Sequence, residues 1–195
     1  MKVCFVLDID TTLADNSHRA CLLKRHCNMC LGSIDTVRKP SQCPSCGGTS
    51  FGFDQASWDS FMDHAVVAND QALPKAVKVI QHVRRLGAPI VYLTGRNEGM
   101  REVTDIWLTK HFGKTQSEEL LMRSLSKAAV PASVYKEQAV LELKETMPGT
   151  FFIFMEDDSH VFSVYNKHGL CIKCPEAWEF LMPTGLKGGE QLYDR

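Results

Sequence analysis

Apolar, β-rich runs alternate along this chain with stretches of helical spacing, and two of those runs end in clustered carboxylates. The first is "VCFVLDIDTTLAD", residues 3–15, where five apolar residues lead into Asp8 and Asp10, with Thr11 and Thr12 directly after. The second is "TFFIFMEDDS", which ends in Glu156, Asp157 and Asp158. A third buried run, "APIVYLTGR", ends in Thr94, Gly95 and Arg96. Between these lie helix-like segments. "LPKAVKVIQHVRRLG" carries Val77, Ile80, Val83 and Leu86 on one face, with Pro74 near its start and Gly87 as its stop. "QASWDSFMDHAVV" has helical spacing, "EGMREVTDIWLTKHFG" is a helix closed by Gly113, and "SVYKEQAVLELKETMPG" is a helix opening near Lys136. "ELLMRS" and "LCIKC" read as short strands, with helix-like "HVFSVYNKHG" before the latter. Such alternation predicts an α/β fold, a Rossmann-like core with a mostly parallel sheet whose functional groups collect at the carboxyl ends of its strands.

A chain of 195 residues, 44% hydrophobic and 23% charged, holds enough apolar material for one sizeable core and an insertion. Its formal net charge of -1 provides no general attraction to nucleic acid or acidic membranes, so any such affinity must come from a local patch. The opening "MKVCFVLD" has one lysine and an apolar run too short for a signal peptide or a membrane span. The expectation is a cytoplasmic protein with no membrane partner.

The insertion is marked by cysteines. Cys27, Cys30, Cys43 and Cys46 form two C-x2-C pairs, and the proline and glycines of "CPSCGG" suit a sharp turn that aims two sulfurs at one ion. In a reducing compartment this spacing predicts a structural Zn2+ site rather than disulfides. Residues 19–50 then form a zinc-ribbon cap inserted after the first strand, and Arg19, Lys24, Arg25, Arg38 and Lys39 against the single acid Asp35 make it basic. The core is expected at residues 1–18 and 51–182, with a frayed tail at 183–195. Cys171 and Cys174 would point to opposite faces of a short strand, as buried or idle thiols.

Two carboxylates at i and i+2 beyond a strand, crowded by acids from a second strand end, call for a cation. Oxygen ligands from Asp8 and from Asp157 or Asp158 suit Mg2+. Helix capping is the competing role for any one of these acids. It leaves unexplained two acidic strand ends together with Thr94 at a third and Lys136 on a later helix.

In this order, "DIDTTLAD", "VYLTGR", Lys136 in "VYKEQAV" and "FMEDDS" resemble the four motifs of the haloacid dehalogenase-like (HAD) phosphatase superfamily. The likeness is closer to the phosphatase domain of phage and bacterial polynucleotide kinases, on Trp58, "LLMR" and "DDSHVFSVYNKHGLCIKC", and it covers nearly all the chain except residues 19–50. The resemblance implies that Asp8 attacks the phosphoryl group and that Asp10 alternates as general acid and base. Thr94 and Lys136 would hold phosphoryl oxygens, with Thr12, Gly95, Arg96 and Arg123 near the substrate. Mg2+ would sit on Asp8, Asp157 or Asp158, and Asp10, the last through its backbone carbonyl. Thr11 stands where most relatives have glycine.

The implied substrate is a phosphorylated nucleotide or nucleic-acid end. Two rivals are a small sugar phosphate and a catalytically weak zinc-ribbon protein that binds nucleic acid. No G-x-x-x-x-G-K-[ST] phosphate loop occurs, so phosphate removal is expected rather than transfer from a nucleoside triphosphate. Arg96 reaches either a phosphate or base, or an acid of the fourth-motif loop. Solvated roles are expected for His18, His26 and His160, and core positions for Trp58 and Phe61.

Overall fold

The computed structural model describes residues 2–34, 42–127 and 130–178. Arg38, Lys39, Asp35 and the expected tail at 183–195 lie outside the described residues. In chain order the elements are β1 (Lys2–Leu7), β2 (Ala14–Asp15), α1 (Ser17–Ala20), β3 (Arg25–Cys27), β4 (Ser33–Ile34), β5 (Phe51–Phe53), α2 (Gln55–Phe61), α3 (His64–Val67) and β6 (Gln71–Ala72). There follow α4 (Pro74–Arg85), β7 (Ile90–Asn97), α5 (Arg101–Phe112), β8 (Glu119–Arg123), α6 (Ala132–Thr146), β9 (Thr150–Glu156), α7 (Ser159–Tyr165) and β10 (Leu170–Lys173).

Five parallel strands form the main sheet in the order β10-β9-β1-β7-β8. The chain runs outward from β1 through β7 to β8, then returns to the other side of β1 for β9 and β10. Strand order therefore reverses at β1, and a crevice opens at the carboxyl end of that strand. Asp8 is the first residue past it.

Side-chain parity along β1 assigns its two faces. Cys4 and Val6 pack with Tyr135, Val140 and Leu143 of α6 and Val161 and Tyr165 of α7. Phe5 and Leu7 pack with Val79, Ile80 and Val83 of α4 and Trp107 and Leu108 of α5. Cys171 joins the first cluster and Cys174 the second, both as buried thiols on opposite faces of the sheet.

Helix boundaries follow local chemistry. Pro74 opens α4, where its missing N–H needs no partner, and Gly87 just beyond that helix adopts φ +70°. Gly113 ends α5 in the left-handed conformation. Two boundaries differ from the sequence expectation. The "QASWDSFMDHAVV" run splits into α2 and α3, because Asp63 caps a new helix through the amides of Ala65 and Val66. The lysine helix opens at Ala132 after Pro131, which sets Lys136 in its second turn.

A second sheet, β4-β3-β5, carries the cysteine insertion. Its strand β5 pairs with β3 through Arg25 and Phe53, so the ribbon extends through Phe53 rather than stopping at residue 50. A short pair of β2 with β6 ties the loop after Asp8 to the start of α4. None of the helices among the described residues is long and apolar enough to cross a membrane.

Candidate active site

Position 8 continues the Cys4, Val6 parity, so Asp8 faces α6. Lys136 reaches it from there: the Nζ donates to Asp8 Oδ1 and to Glu156 Oε2, each at 2.7 Å. Glu156 has the same parity on β9 as Phe152 and Phe154, which pack in that cluster. All three groups are buried, at 5%, 3% and 0% exposure for Asp8, Lys136 and Glu156. Burial pushes the Asp8 carboxyl well above its ordinary range, Glu156 adds to the shift, and Lys136 opposes it. Lys136 itself is held well above its usual value; burial works against the charge but Asp8 and Glu156 outweigh it.

Asp157 completes this cluster. Oxygens of Asp8, Glu156 and Asp157 lie within 4.8 Å of one another. Thr11 Oγ1 lies 2.6 Å from Asp157 Oδ2, and Thr12 Oγ1 donates to Asp157 Oδ1 at 3.2 Å. Three carboxylates against one ammonium leave excess negative charge, and an all-oxygen donor set of this kind fits a hard divalent cation. Glu156 is held by a buried ammonium and a backbone amide, whereas Asp157 is held by two threonine hydroxyls, which can turn aside for an ion; Asp8 and Asp157 are therefore the better placed ligands. Asp158 instead caps α7, accepting from the His160 amide at 2.8 Å. The spacing of "EDDS" left Asp157 and Asp158 equivalent; the turn into α7 separates them. Glu156 was absent from the expected ligands, although its strand parity could have placed it beside Lys136.

Thr11 occupies the left-handed region at φ +60°. A β-branched residue there costs about 1–3 kcal/mol, and the contact to Asp157 provides an offsetting bond that glycine lacks.

Asp10 belongs to the other face of the sheet. Arg96 has the parity of Tyr92, on the side of α4 and α5, and there it donates to Asp10 through Nε (3.0 Å) and Nη2 (2.8 Å). Arg19 also binds Asp10. Both arginines converge on Asp70: Arg19 Nε at 2.7 Å, Arg96 Nη2 at 2.7 Å. Burial opposes ionisation of Asp10, but Arg96 and then Arg19 outweigh it and hold the carboxyl well below the usual carboxylate range. Two buried cations are thus matched by two carboxylates, only one of which, Asp10, reaches the cavity.

This network revises the reading of two arginines. Arg19, counted among the cap's cations, is 0% exposed and forms part of the core site. The sequence allows Arg96 a substrate or a fourth-motif acid; in the fold its donors lie on Asp10, Asp70 and Thr104. Asp70 carried no motif and was missed. Its only sequence signal is an acid just ahead of an apolar run.

The remaining expected residues divide. Thr94 is fully buried, and its hydroxyl oxygen accepts from the Arg96 amide at 3.2 Å, leaving its proton to donate. At Gly95 an added Cβ would lie 3.2 Å from Arg123 Nη2, so glycine lets that guanidinium approach. Arg123 also lines the cavity, but the Thr12 hydroxyl is turned to Asp157. Trp58 and Phe61, expected as core, line the mouth, and Trp58 is 38% exposed.

The cysteine cluster has its own internal repeat. In each C-x2-C pair the amide four residues after the first cysteine donates to that cysteine's carbonyl (Leu31 to Cys27, Gly47 to Cys43), and the first cysteine's amide donates to the glycine carbonyl one residue further on. Leu31 and Gly47 take the same left-handed turn, at φ +56° and +72°. Gly48 is required by packing, since a Cβ would lie 2.8 Å from Met29 Sδ and 3.2 Å from Cys27 Sγ. The Sγ atoms of Cys27 and Cys46 are 3.5 Å apart and those of Cys30 and Cys43 are 3.7 Å apart. Four sulfurs around one tetrahedral zinc would have edges of about 3.8 Å, so the cluster fits that ion. Amides of Ser45 and Cys46 pull the Cys43 thiol down to about 6.

A family model described as HAD superfamily, subfamily IIIB (acid phosphatase) matches residues 46–155. That is more than half of the sequence, and the chain belongs to this family. The matched segment contains Thr94 and Lys136 but neither Asp8 nor Glu156 and Asp157, which are assembled here by geometry. No curated protein matches the sequence. Among solved structures, the chain is similar to one in the Pnkp1/Rnl/Hen1 RNA repair complex, with a TM-score of 0.56 and 16% identity over 89% of this chain and 42% of that one. It spans less than half of that relative's length. A hydrolase from Streptococcus pneumoniae aligns over 93% of this chain and 99% of its own, with a TM-score of 0.55 and 12% identity. A haloacid dehalogenase-like hydrolase from Burkholderia xenovorans gives 0.51 and 13%, over 88% and 81%.

Proposed function

We propose that this phosphatase is a Mg2+-dependent phosphomonoesterase of nucleotides or phosphorylated nucleic-acid ends, working through a phosphoryl group carried on Asp8. The observation that carries the proposal is the placement of Asp8 at the reversal of strand order, bonded to Lys136 and flanked by Glu156 and Asp157. Asp8 attacks phosphorus, and the ester oxygen leaves with a proton. Water then attacks the acyl phosphate, giving inorganic phosphate and free Asp8. Mg2+, held by Asp8 and Asp157, would neutralise charge between the nucleophile and the phosphoryl oxygens.

Asp10 is the acid and base of both steps. Its arginines hold it as a carboxylate, ready to accept a proton from water in the second step. Its donor role in the first step follows from the substrate: an arriving phosphoryl dianion raises the cost of a second negative charge nearby and favours a proton on Asp10. Thr94 and Lys136 steady the phosphoryl oxygens. Lys24 and Arg25 of the ribbon are the described cap cations that would draw in a phosphate-rich substrate. Four cysteines gathered as a zinc site rather than as disulfides suit the reducing cytoplasm.

Phosphate release measured with Mg2+ across nucleoside 5′- and 3′-monophosphates, 3′-phosphorylated oligonucleotides and sugar phosphates tests this reading. Nucleotides or oligonucleotide ends should be the best substrates. A sugar phosphate as best substrate would replace the nucleotide assignment, and no release from any ester would favour a binding role.

The cysteine cluster carries a separate expectation. Metal analysis of the purified protein should find about one zinc per chain, and Cys43→Ser should lose it. Because zinc binding is coupled to folding, the ribbon of that variant should become sensitive to limited proteolysis while the α/β core resists. Full zinc content in Cys43→Ser would contradict the site.

A further inference from the structure

Thr11 stands where the loop after β1 meets the loop after β9. Its Oγ1 lies 2.7 Å from the Asp10 carbonyl oxygen and 2.6 Å from Asp157 Oδ2, and Thr12 Oγ1 donates to the other Asp157 oxygen, Oδ1, at 3.2 Å. The 2.6 Å contact has the length of a hydroxyl bonded to an ionised carboxylate. Each oxygen of Asp157 is thus held by its own hydroxyl. The turn that aims Thr11 is itself closed: the Thr11 amide donates to the Ala14 carbonyl at 3.0 Å, the amides of Leu13 and Ala14 donate to the Ile9 carbonyl, and Ala14 pairs with Ala72 of β6. Glycine would take φ +60° with less strain, but it would leave Oδ2 unheld.

Asp157 needs such a hold. Oxygens of Asp8 and Glu156 lie within 4.8 Å of it, and their charge drives it outward from its half-buried place on the cavity wall. A cation can gather these acids in either of two ways. Mg2+, near-octahedral with ligands at about 2.0–2.1 Å, takes one oxygen from each carboxylate, whereas the larger and less exacting Ca2+, at about 2.3–2.6 Å, readily takes both oxygens of one. Coordination through one oxygen of Asp157 requires one hydroxyl at most to turn aside. Chelation through both oxygens breaks both bonds. We infer that Thr11 makes the acidic cluster selective for Mg2+ over Ca2+ by confining Asp157 to single-oxygen coordination, with Thr12 as the second hold. This assignment rests on the Mg2+-dependent reading above and deepens it, because it names the side chain that sets which ion the site takes.

The hold also spans the two acidic strand ends. Asp10 and Thr11 follow β1, Asp157 follows β9, and those strands are paired along their whole length, with the Asp8 amide continuing the ladder to the Met155 carbonyl at 3.0 Å. Their spacing is therefore set by the sheet. One hydroxyl proton serves two acceptors there, the Asp10 carbonyl and Asp157 Oδ2. Whichever oxygen goes without the proton is available to the cation, and neither strand end has to move to offer it.

The test reads ion binding on the full-length, zinc-loaded protein without substrate. Bound Mn2+ is counted by electron paramagnetic resonance, and Mg2+ and Ca2+ are titrated in as competitors to give the ratio of their dissociation constants. The parent should favour Mg2+. Thr11→Ala should narrow that preference by about tenfold or more, the scale of one hydrogen bond to a charged group, and Thr11→Ser, which keeps the hydroxyl, should retain most of it. Melting temperature measured without divalent ion reports what Thr11 does for the fold alone. A changed melting temperature with an unchanged ion ratio overturns the inference, as does a parent that shows no preference for Mg2+ or binds no Mn2+. Phosphate release is scored separately. If the ratios shift as expected while the parent hydrolyses no ester, the selectivity stands and the phosphatase reading fails.

Discussion

Asp8→Asn should lower phosphate release at least about a thousandfold, the scale of loss when a covalent nucleophile is removed. The substitution keeps the shape of the side chain and an oxygen for Lys136, but an amide cannot form the acyl phosphate. It also removes one of the carboxylates of the acidic cluster and one of the two charges that hold Lys136. Thermal stability should change little, since the charge lost to Lys136 is offset by relief of a carboxylate that burial and neighbouring acids disfavour, and Glu156 keeps the ammonium paired. A large loss of rate in a fully folded protein is the expected pair of results. Comparable loss of fold would show that Asp8 supports structure rather than chemistry.

Asp70→Ala should have the largest effect on stability. Asp70 is 1% exposed and accepts from both Arg19 and Arg96. Without it two buried guanidiniums share Asp10 alone. Breaking one partner out of a buried ionic network costs about 3–5 kcal/mol, or roughly 10 °C in Tm for a domain of this size. Asp10 would lose the frame that orients it, so phosphate release by the folded fraction should also fall, by about tenfold or more. Urea melts check the first part, through a lower midpoint at an unchanged slope. A midpoint within error of the parent would mean that the arginines are held by something other than this pair of carboxylates.

The core was legible because strand period and helix period differ. The run before Asp8, the run before Thr94 and the run before Glu156 became adjacent parallel strands in the middle of the sheet, and Pro74, Gly87 and Gly113 punctuated helices by their own backbone chemistry. The paired cysteines were equally legible, because C-x2-C with glycine after it is a local geometry. What the sequence left hidden was long-range. Arg19 looked like one more cap cation, and only folding brings it to Asp70, 51 residues away. Asp157 and Asp158 could not be ranked until the turn into α7 gave Asp158 the amide of His160. Trp58 has the spacing of a core residue, and its exposure depends on where the ribbon leaves α2. Thr11 is the converse case. The sequence marked it as a departure from glycine, and the fold explains its tolerance by the bond from its hydroxyl to Asp157.

A phosphoryl group should form on Asp8 in the presence of Mg2+ and be lost to water. The most direct measurement mixes the protein with Mg2+ and a phosphate monoester, quenches in acid, reduces with borohydride and maps the product by mass spectrometry. Conversion of Asp8 to homoserine, dependent on both Mg2+ and substrate, is the result predicted. Phosphate release that continues with no trace of modification at Asp8, and survives Asp8→Asn, would contradict it.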